Sequence, residues 1–224
     1  MKIRTLNDLQ DIIDAEMAWR KKELSALKSN IQSSRSFAKE TALRSGIALL
    51  YAHWEGVVKN IAYYYLVFVS YQKIPYNRLK NNFLAITIKQ KLAQFEETNK
   101  TTFQTMIINS IFKKYSEISQ IPTEKIISTN SNLNSVVFQE IMCTIGLKTD
   151  YYEQSYKMID EVLLNMRNNI AHGERLENIS LDEKRYNEIH KIILELIDHF
   201  AIQVMNAACL KVYLAENDEP ISLE

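Results

Sequence analysis

Breakers of regular structure are the scarcest residues in this chain, with 3 prolines and 4 glycines in 224 residues. A many-stranded sheet needs frequent turns, and turns draw heavily on those two residue types. Their shortage argues against that architecture and predicts long helices. An excess of one charge is also lacking. Lys plus Arg and Asp plus Glu both number 27, so a globally basic nucleic-acid binder is not indicated, although a local basic patch is not excluded. The only cysteines, Cys143 and Cys209, lie far apart in the apolar contexts IMCTIGL and NAACLKV. They are expected to be buried free thiols of a reducing compartment. The longest apolar run, IAYYYLVFVSY at 61–71, falls well short of the roughly 20 residues that a membrane span needs. The start, MKIRTLNDLQ, has no signal-peptide core. A soluble, cytoplasmic protein with no membrane partner is expected. There is also no glycine-rich phosphate loop, no HExxH, no clustered Cys/His ligand set and no serine in a recognisable nucleophile setting.

What the chain does have is helical periodicity. Leu6, Leu9, Ile13, Met17, Leu24, Leu27 and Ile31 recur at steps of three and four, one face of a first helix over about 5–31. Arg20 falls on that stripe. There its stem is expected along the core edge and its charged head in water, the ordinary alternative to a functional role. A second helix over 36–71 carries Leu43, Ile47, Leu50, Trp54, Val57, Ile61, Tyr64 and Phe68 at heptad-like steps. Gly46 and Gly56 interrupt it. Each is unfavourable by about 1 kcal/mol against alanine, which close helix approach would explain.

Pro75 ends that helix. Residues 79–95 and 103–115 read as two helices joined by a polar turn, followed by a Ser/Thr/Asn-rich stretch to 134 with a candidate short strand at 125–128. A short helix over 135–145 stops at Gly146. This middle region, 76–146, reads as an insertion of accessory helices between core helices. A motif helix follows over 152–172, with Tyr156, Ile159, Leu163, Met166 and Ile170 inward and Gly173 as a left-handed cap. Ser180 to Glu183 reads as a capping box for a final helix over 181–213, with Ile189, Ile193, Leu196, Phe200 and Val204 inward. The expected fold is all-α: a single domain spanning 1–224, an up-and-down helical bundle with a helical insertion.

Chemistry concentrates at the end of the motif helix, in MRNNIAHGE at 166–174. Arg167 can fork two donors onto phosphate oxygens. His172 can take the proton of a ribose 2′-hydroxyl near neutral pH. Asn168 lies between them and can orient either partner. Leu164 and Ala171 occupy an arc expected to face away from the core. That arc suits a second helix, and in a two-fold pair the same patch would meet its own copy. Such a scheme fits phosphodiester cleavage in RNA and calls for no metal or cofactor. Taken on spacing alone, the pair reads more ordinarily as a surface arginine and a histidine favourably placed at the helix C-terminus.

RNNIAH closing a helix resembles the Arg-polar-x3-His signature of the HEPN superfamily. The segment LLYAHWEGVVK at 49–59, preceded by Arg44, and WRKKELSALK at 19–28 resemble one bacterial branch of HEPN-like nucleases linked to toxin–antitoxin and antiphage defence. The resemblance implies Arg167 and His172 as a catalytic pair with Asn168 beside them. It also implies a homodimer with the motif helices at its interface, and metal-independent cleavage of RNA that leaves a 2′,3′-cyclic phosphate. An antitoxin or regulatory protein becomes a candidate partner. Arg44, Tyr51 and Glu55 lie along one edge of the second helix, where they are candidates to support the Arg167 side. Arg20 is a candidate for the same shell or for RNA contact. Glu55 can alternatively pair with Lys59 at the i, i+4 spacing. Trp54 is read as core, and His53 as a surface or partner-contact residue. The basic stretches RKK at 20–22 and IFKK at 111–114 are either RNA contacts or solvated faces. The competing expectation from another class is a non-catalytic HEPN-like dimer that binds nucleotide or a partner protein.

Overall fold

The computed structural model describes residues 1–96, 100–174 and 181–217. Among these residues the chain forms α-helices and no strand; its only bridges are the isolated pairs Pro75–Ile118 and Leu79–Leu214. The all-α expectation is met.

The core is a packed set of three long helices. α1, Leu6–Ser33, opens on a capping box in which the Thr5 hydroxyl accepts from the Asp8 N–H and the Asp8 carboxylate accepts from the Thr5 N–H. Its stripe of Leu9, Ile13, Met17, Leu24 and Ile31 is buried. α2, Ser36–Tyr71, packs against α1 and the last long helix and also against the accessory and motif segments. Being covered on several sides, it buries Trp54, Val57, Val58, Ile61, Ala62, Tyr65 and Leu66 together rather than a single stripe. α8, Glu183–Cys209, brings Ile189, Ile193, Leu196, Phe200 and Val204 inward. By length and composition α8 is apolar enough to cross a membrane, with a mean hydropathy of 1.4 in its best window. Here it is a core helix that packs on α1 and α2, and its Asp198 pairs with Lys21 of α1 at 2.7 Å.

Gly46 lies where α1, α2 and α8 meet. A Cβ there would sit 2.8 Å from both Ile31 Cδ1 and Tyr186 Cε2. Ile31 can turn aside, but the buried Tyr186 ring has little room. Gly46→Ala is therefore expected to lower stability by about 1–2 kcal/mol, the overpacking outweighing the gain in helix propensity. Urea unfolding checks this, and an unchanged or raised midpoint would refute it.

The accessory region comprises α3, Asn81–Glu96, α4, Thr101–Tyr115, and α5, Ser135–Ile145. α5 is capped by the Asn134 side chain, which accepts from the Val137 N–H, and closes at Gly146 with φ of 71°. No strand forms at 125–128. Lys125 has φ of 57°, a left-handed conformation that makes this stretch a turn.

The motif segment is not one continuous helix. A short α6, Asp150–Glu153, and a turn at Gln154–Ser155 precede a π-helical stretch over Met158–Leu164, and only then comes α7, Asn165–Ala171. An i→i+5 stretch puts the residues before and after it out of α-helical phase. Leu163 and Leu164 are consequently both buried, at 0% and 9% exposure. Leu164 thus belongs to the protomer's own core, contrary to its expected place on an outward arc, whereas Ala171 is exposed.

Other expectations need correction. Cys143 and Cys209 are exposed. Cys143 lies outside the buried set of Phe138, Ile141, Met142 and Ile145, and Cys209 ends its helix. The final helix opens on Asp182, whose carboxylate accepts from the Arg185 N–H at 2.7 Å, and it ends at Cys209 short of Tyr213. Ser180, the residue expected to begin that cap, is outside the described residues.

Candidate functional site

The end of α7 is closed by its own backbone. The His172 N–H donates to the Asn168 carbonyl at 2.9 Å, the Gly173 N–H to Ile170 at 3.1 Å and the Glu174 N–H to Asn169 at 2.8 Å. Gly173 takes φ of 75°, the left-handed conformation that glycine allows at a helix end. This closure leaves the His172 side chain exposed. From α2, Arg44 Nη1 donates to the Glu174 carbonyl at 2.7 Å and pins the chain just past the histidine.

Arg167 is half-buried and held from three directions. Its guanidinium lies over the Tyr51 ring, 4.8 Å from the centroid. Nη1 donates to Asn168 Oδ1 at 2.8 Å and to Asn132 Oδ1 at 3.1 Å, and Nη2 donates to the Ser131 carbonyl at 3.3 Å. Asn168 therefore orients the arginine rather than the imidazole. Tyr51 is itself fixed, its hydroxyl accepting from the buried Leu133 N–H at 2.6 Å. Burial, reinforced by the Glu55 carboxylate, pushes the Tyr51 phenol up to about 12. It stays neutral at physiological pH, so it offers Arg167 a π face without a competing negative charge. The Glu55 carboxylate thus lies beside the Tyr51 phenol.

Arg167, Asn168, Tyr51 and Glu55 are brought together, with Arg44 at the His172 end. Arg20 is not among them. Its head is in the interior at 6% exposure, where Nε and Nη2 donate to Glu16 Oε1 at 3.0 and 2.6 Å and the guanidinium stacks 4.4 Å from the Trp19 ring. His53 is likewise buried, at 3% exposure, against the expectation of a surface position. Its Nδ1 lies 3.2 Å from Arg20 Nη1, which can only donate, and its Nε2 lies 2.8 Å from the Glu23 carboxylate. That pattern selects the neutral tautomer with the proton on Nε2. Gly56 makes room for the cluster, since a Cβ there would meet Arg20 Nη2 at 2.6 Å. Trp54 is fully buried core, as expected.

Burial lowers the affinity of His53, His190 and His199 for a proton, helped by Arg20 at His53 and by Lys28 at His190. Each histidine binds a proton more readily in the unfolded chain, so stability rises with pH between its folded value and the ordinary imidazole value of about 6.5. The contribution is fully present above that value and is lost as pH falls through the window below it. Burial opposes ionisation of Glu16, but its hydrogen bonds from Arg20 and Asn60 outweigh it and hold the carboxyl below its ordinary value, so its own contribution to stability is lost mainly at more acidic pH. Unfolding free energy in urea is expected to fall between pH 7 and pH 5, less steeply in His53→Gln. Equal slopes in the two proteins would contradict the cluster's role.

The contribution of the insertion was missed in the sequence. Ser131, Asn132 and Leu133 come from a stretch set aside as an accessory region, yet they touch Arg167 and Tyr51. The signal available was the run STNSNLN, since asparagine tolerates the left-handed backbone that a tight turn needs.

These elements define a class: an all-helical bundle that presents an arginine and a histidine at the end of a short helix packed on its central helix. A family model described as RiboL-PSP-HEPN matches residues 15–206. The chain belongs to that HEPN family, whose domains are often ribonucleases. No curated protein and no solved structure gives a significant match.

Proposed function

We propose that this protein is a metal-independent endoribonuclease acting as a toxin or antiphage effector. His172 takes the proton from a ribose 2′-hydroxyl, and the 2′-oxygen attacks the adjacent phosphorus. The bond to the 5′-oxygen breaks, that oxygen collects a proton from water, and a 2′,3′-cyclic phosphate remains. Arg167 neutralises the charge that builds on the phosphate oxygens. The observation that carries this reading is the state of the two side chains. Arg167 is held over Tyr51 by Asn168 and the insertion, while His172 stands exposed past the end of the same helix.

The working form is a homodimer joined through the motif helices. An open groove of about 600 Å³ supports this, lined by Phe37, Arg44, Leu49 and Ile170 beside α7. Phe37 is 80% exposed there, an apolar side chain that a second protomer would cover. Light scattering is expected to give twice the chain mass for the wild type and a monomer for the double variant Phe37→Glu, Leu49→Glu. A folded monomeric wild type that still cuts RNA would refute the dimer. The activity itself is tested with purified protein in EDTA on a panel of RNAs, with end-group analysis of the products. Expression is expected to arrest growth, and His172→Ala to relieve the arrest. A folded dimer that leaves every RNA intact and spares growth would favour instead a HEPN-like module that binds nucleotide or protein.

A further inference from the structure

Among the described residues the insertion meets Arg167 at the turn Asn130–Asn132, and that turn is firmly built. Asn130 and Ser131 both take left-handed backbone, with φ of 51° and 62°. Two successive non-glycine residues in that region are unfavourable unless the surroundings impose them. The surroundings here are well defined. The Asn132 N–H donates to the Thr129 carbonyl and the Asn134 N–H to the Asn132 carbonyl, both at 2.9 Å. The next residue, Leu133, is fully buried and donates its N–H to Tyr51. Ser135 then binds Asp160 of the π-helical stretch through both its N–H and its hydroxyl. The turn is therefore fastened to α2 on one side and to the segment leading into α7 on the other.

What the turn offers is two acceptors, the Asn132 amide oxygen and the Ser131 carbonyl, and both are spent on Arg167. A guanidinium has five N–H donors. Asn132 and Asn168 together occupy Nη1, and Ser131 takes one hydrogen of Nη2. Among the described residues that leaves Nε–H and one hydrogen of Nη2, and Nε and Nη2 are the two nitrogens of one edge of the plane. Two parallel donors on one edge are the geometry that grips a phosphate in bidentate fashion.

We propose that Asn132, carried by the insertion, is a positioning residue of the site, holding the Nη1 side of Arg167 so that its Nε/Nη2 edge faces the scissile phosphate. This rests on the ribonuclease reading above. It gives the insertion a function: it supplies the fixed acceptors that a short motif helix lacks. A pre-oriented fork loses little rotational freedom on meeting the phosphate, and a swinging arginine would lose more.

The test compares wild type, Asn132→Ala, Arg167→Lys and the double variant of the last two. Cleavage of RNA is followed alongside the 15N guanidinium signals of Arg167, assigned from their loss in Arg167→Lys. Asn132→Ala is expected to lower kcat about tenfold with KM within about twofold, the pattern of an interaction that matters in the transition state. Its melting temperature is expected to stay within a few degrees of wild type. In the Arg167→Lys background the same change is expected to add little, because it acts through the missing guanidinium. The wild-type guanidinium is expected to rotate slowly and to shift on addition of inorganic phosphate. In Asn132→Ala it is expected to rotate freely and to respond less. Full activity and an unchanged guanidinium signal in Asn132→Ala would overturn the proposal and leave the ribonuclease reading intact. A wild type that cuts no RNA would defeat the ribonuclease reading. The guanidinium and its phosphate response would then decide alone whether Asn132 holds a phosphate-binding arginine.

Discussion

Alanine at His172 is expected to slow RNA cleavage by about 10²- to 10⁴-fold, the range that a positioned general base contributes. The folded state should hardly notice. His172 is exposed, its backbone N–H donates to the Asn168 carbonyl at the helix end, and alanine keeps that bond. Alanine at Arg167 is expected to cost about 10²- to 10³-fold, as for other fixed groups that meet charge developing in a transition state. Here a modest loss of stability should accompany it, because Asn132, Asn168 and the Ser131 carbonyl lose their donor and Tyr51 loses its cation. Arg167→Lys keeps the charge but cannot reproduce a planar fork held by three acceptors, so it is expected to behave much more like alanine than like wild type. The measurement is the single-turnover rate in EDTA for the four proteins, with the product ends identified. Cleavage undiminished in both alanine variants would mean that the nuclease activity lies elsewhere or belongs to a contaminant.

The parts of this picture readable from sequence are those set by short-range pattern. The stripe from Leu43 to Phe68 was legible because steps of three and four repeat over many turns, and Gly146 and Gly173 because a left-handed helix end favours glycine. The Arg167–His172 pair was legible as a motif. Its surroundings were less so. The π-helical stretch before α7 carries no proline or glycine to announce it, and it moved Leu164 from an outward arc into the core. Arg20 and His53 look polar in a linear reading and were placed at the surface. They are interior because each supplies the other's partner across α1 and α2, a pairing 33 residues apart in the chain that local periodicity does not see. Asn132 was invisible for the same reason, since its partner Arg167 lies 35 residues further on.

The buried cluster between α1 and α2 leads to the largest stability effect expected in the molecule. Glu16 accepts from Arg20 Nε and Nη2 and from Asn60 Nδ2, the last at 2.6 Å. The Arg20 and Glu16 side chains are only 7% and 11% exposed. Replacing Glu16 by alanine removes the carboxylate hydrogen-bonded to a buried guanidinium and leaves that guanidinium beside a buried imidazole. Deleting one partner of a buried pair in this way typically costs about 3–5 kcal/mol. For a chain of this length each kcal/mol lowers the melting temperature by roughly 2–4 °C, so Glu16→Ala is expected to melt at least several degrees below wild type. Arg20→Met should be milder, because the charge leaves along with its desolvation and the methionine stem fills part of the space over Gly56. Combining Glu16→Leu with Arg20→Met is expected to recover most of the loss, since an apolar pair of similar volume needs no solvation to begin with. None of these changes touches Arg167 or His172, and RNA cleavage per folded molecule should persist in all three. Calorimetry on the series is decisive. Equal losses in Glu16→Ala and in the double replacement would show that the cluster acts by shape alone and that its charges do not matter to stability.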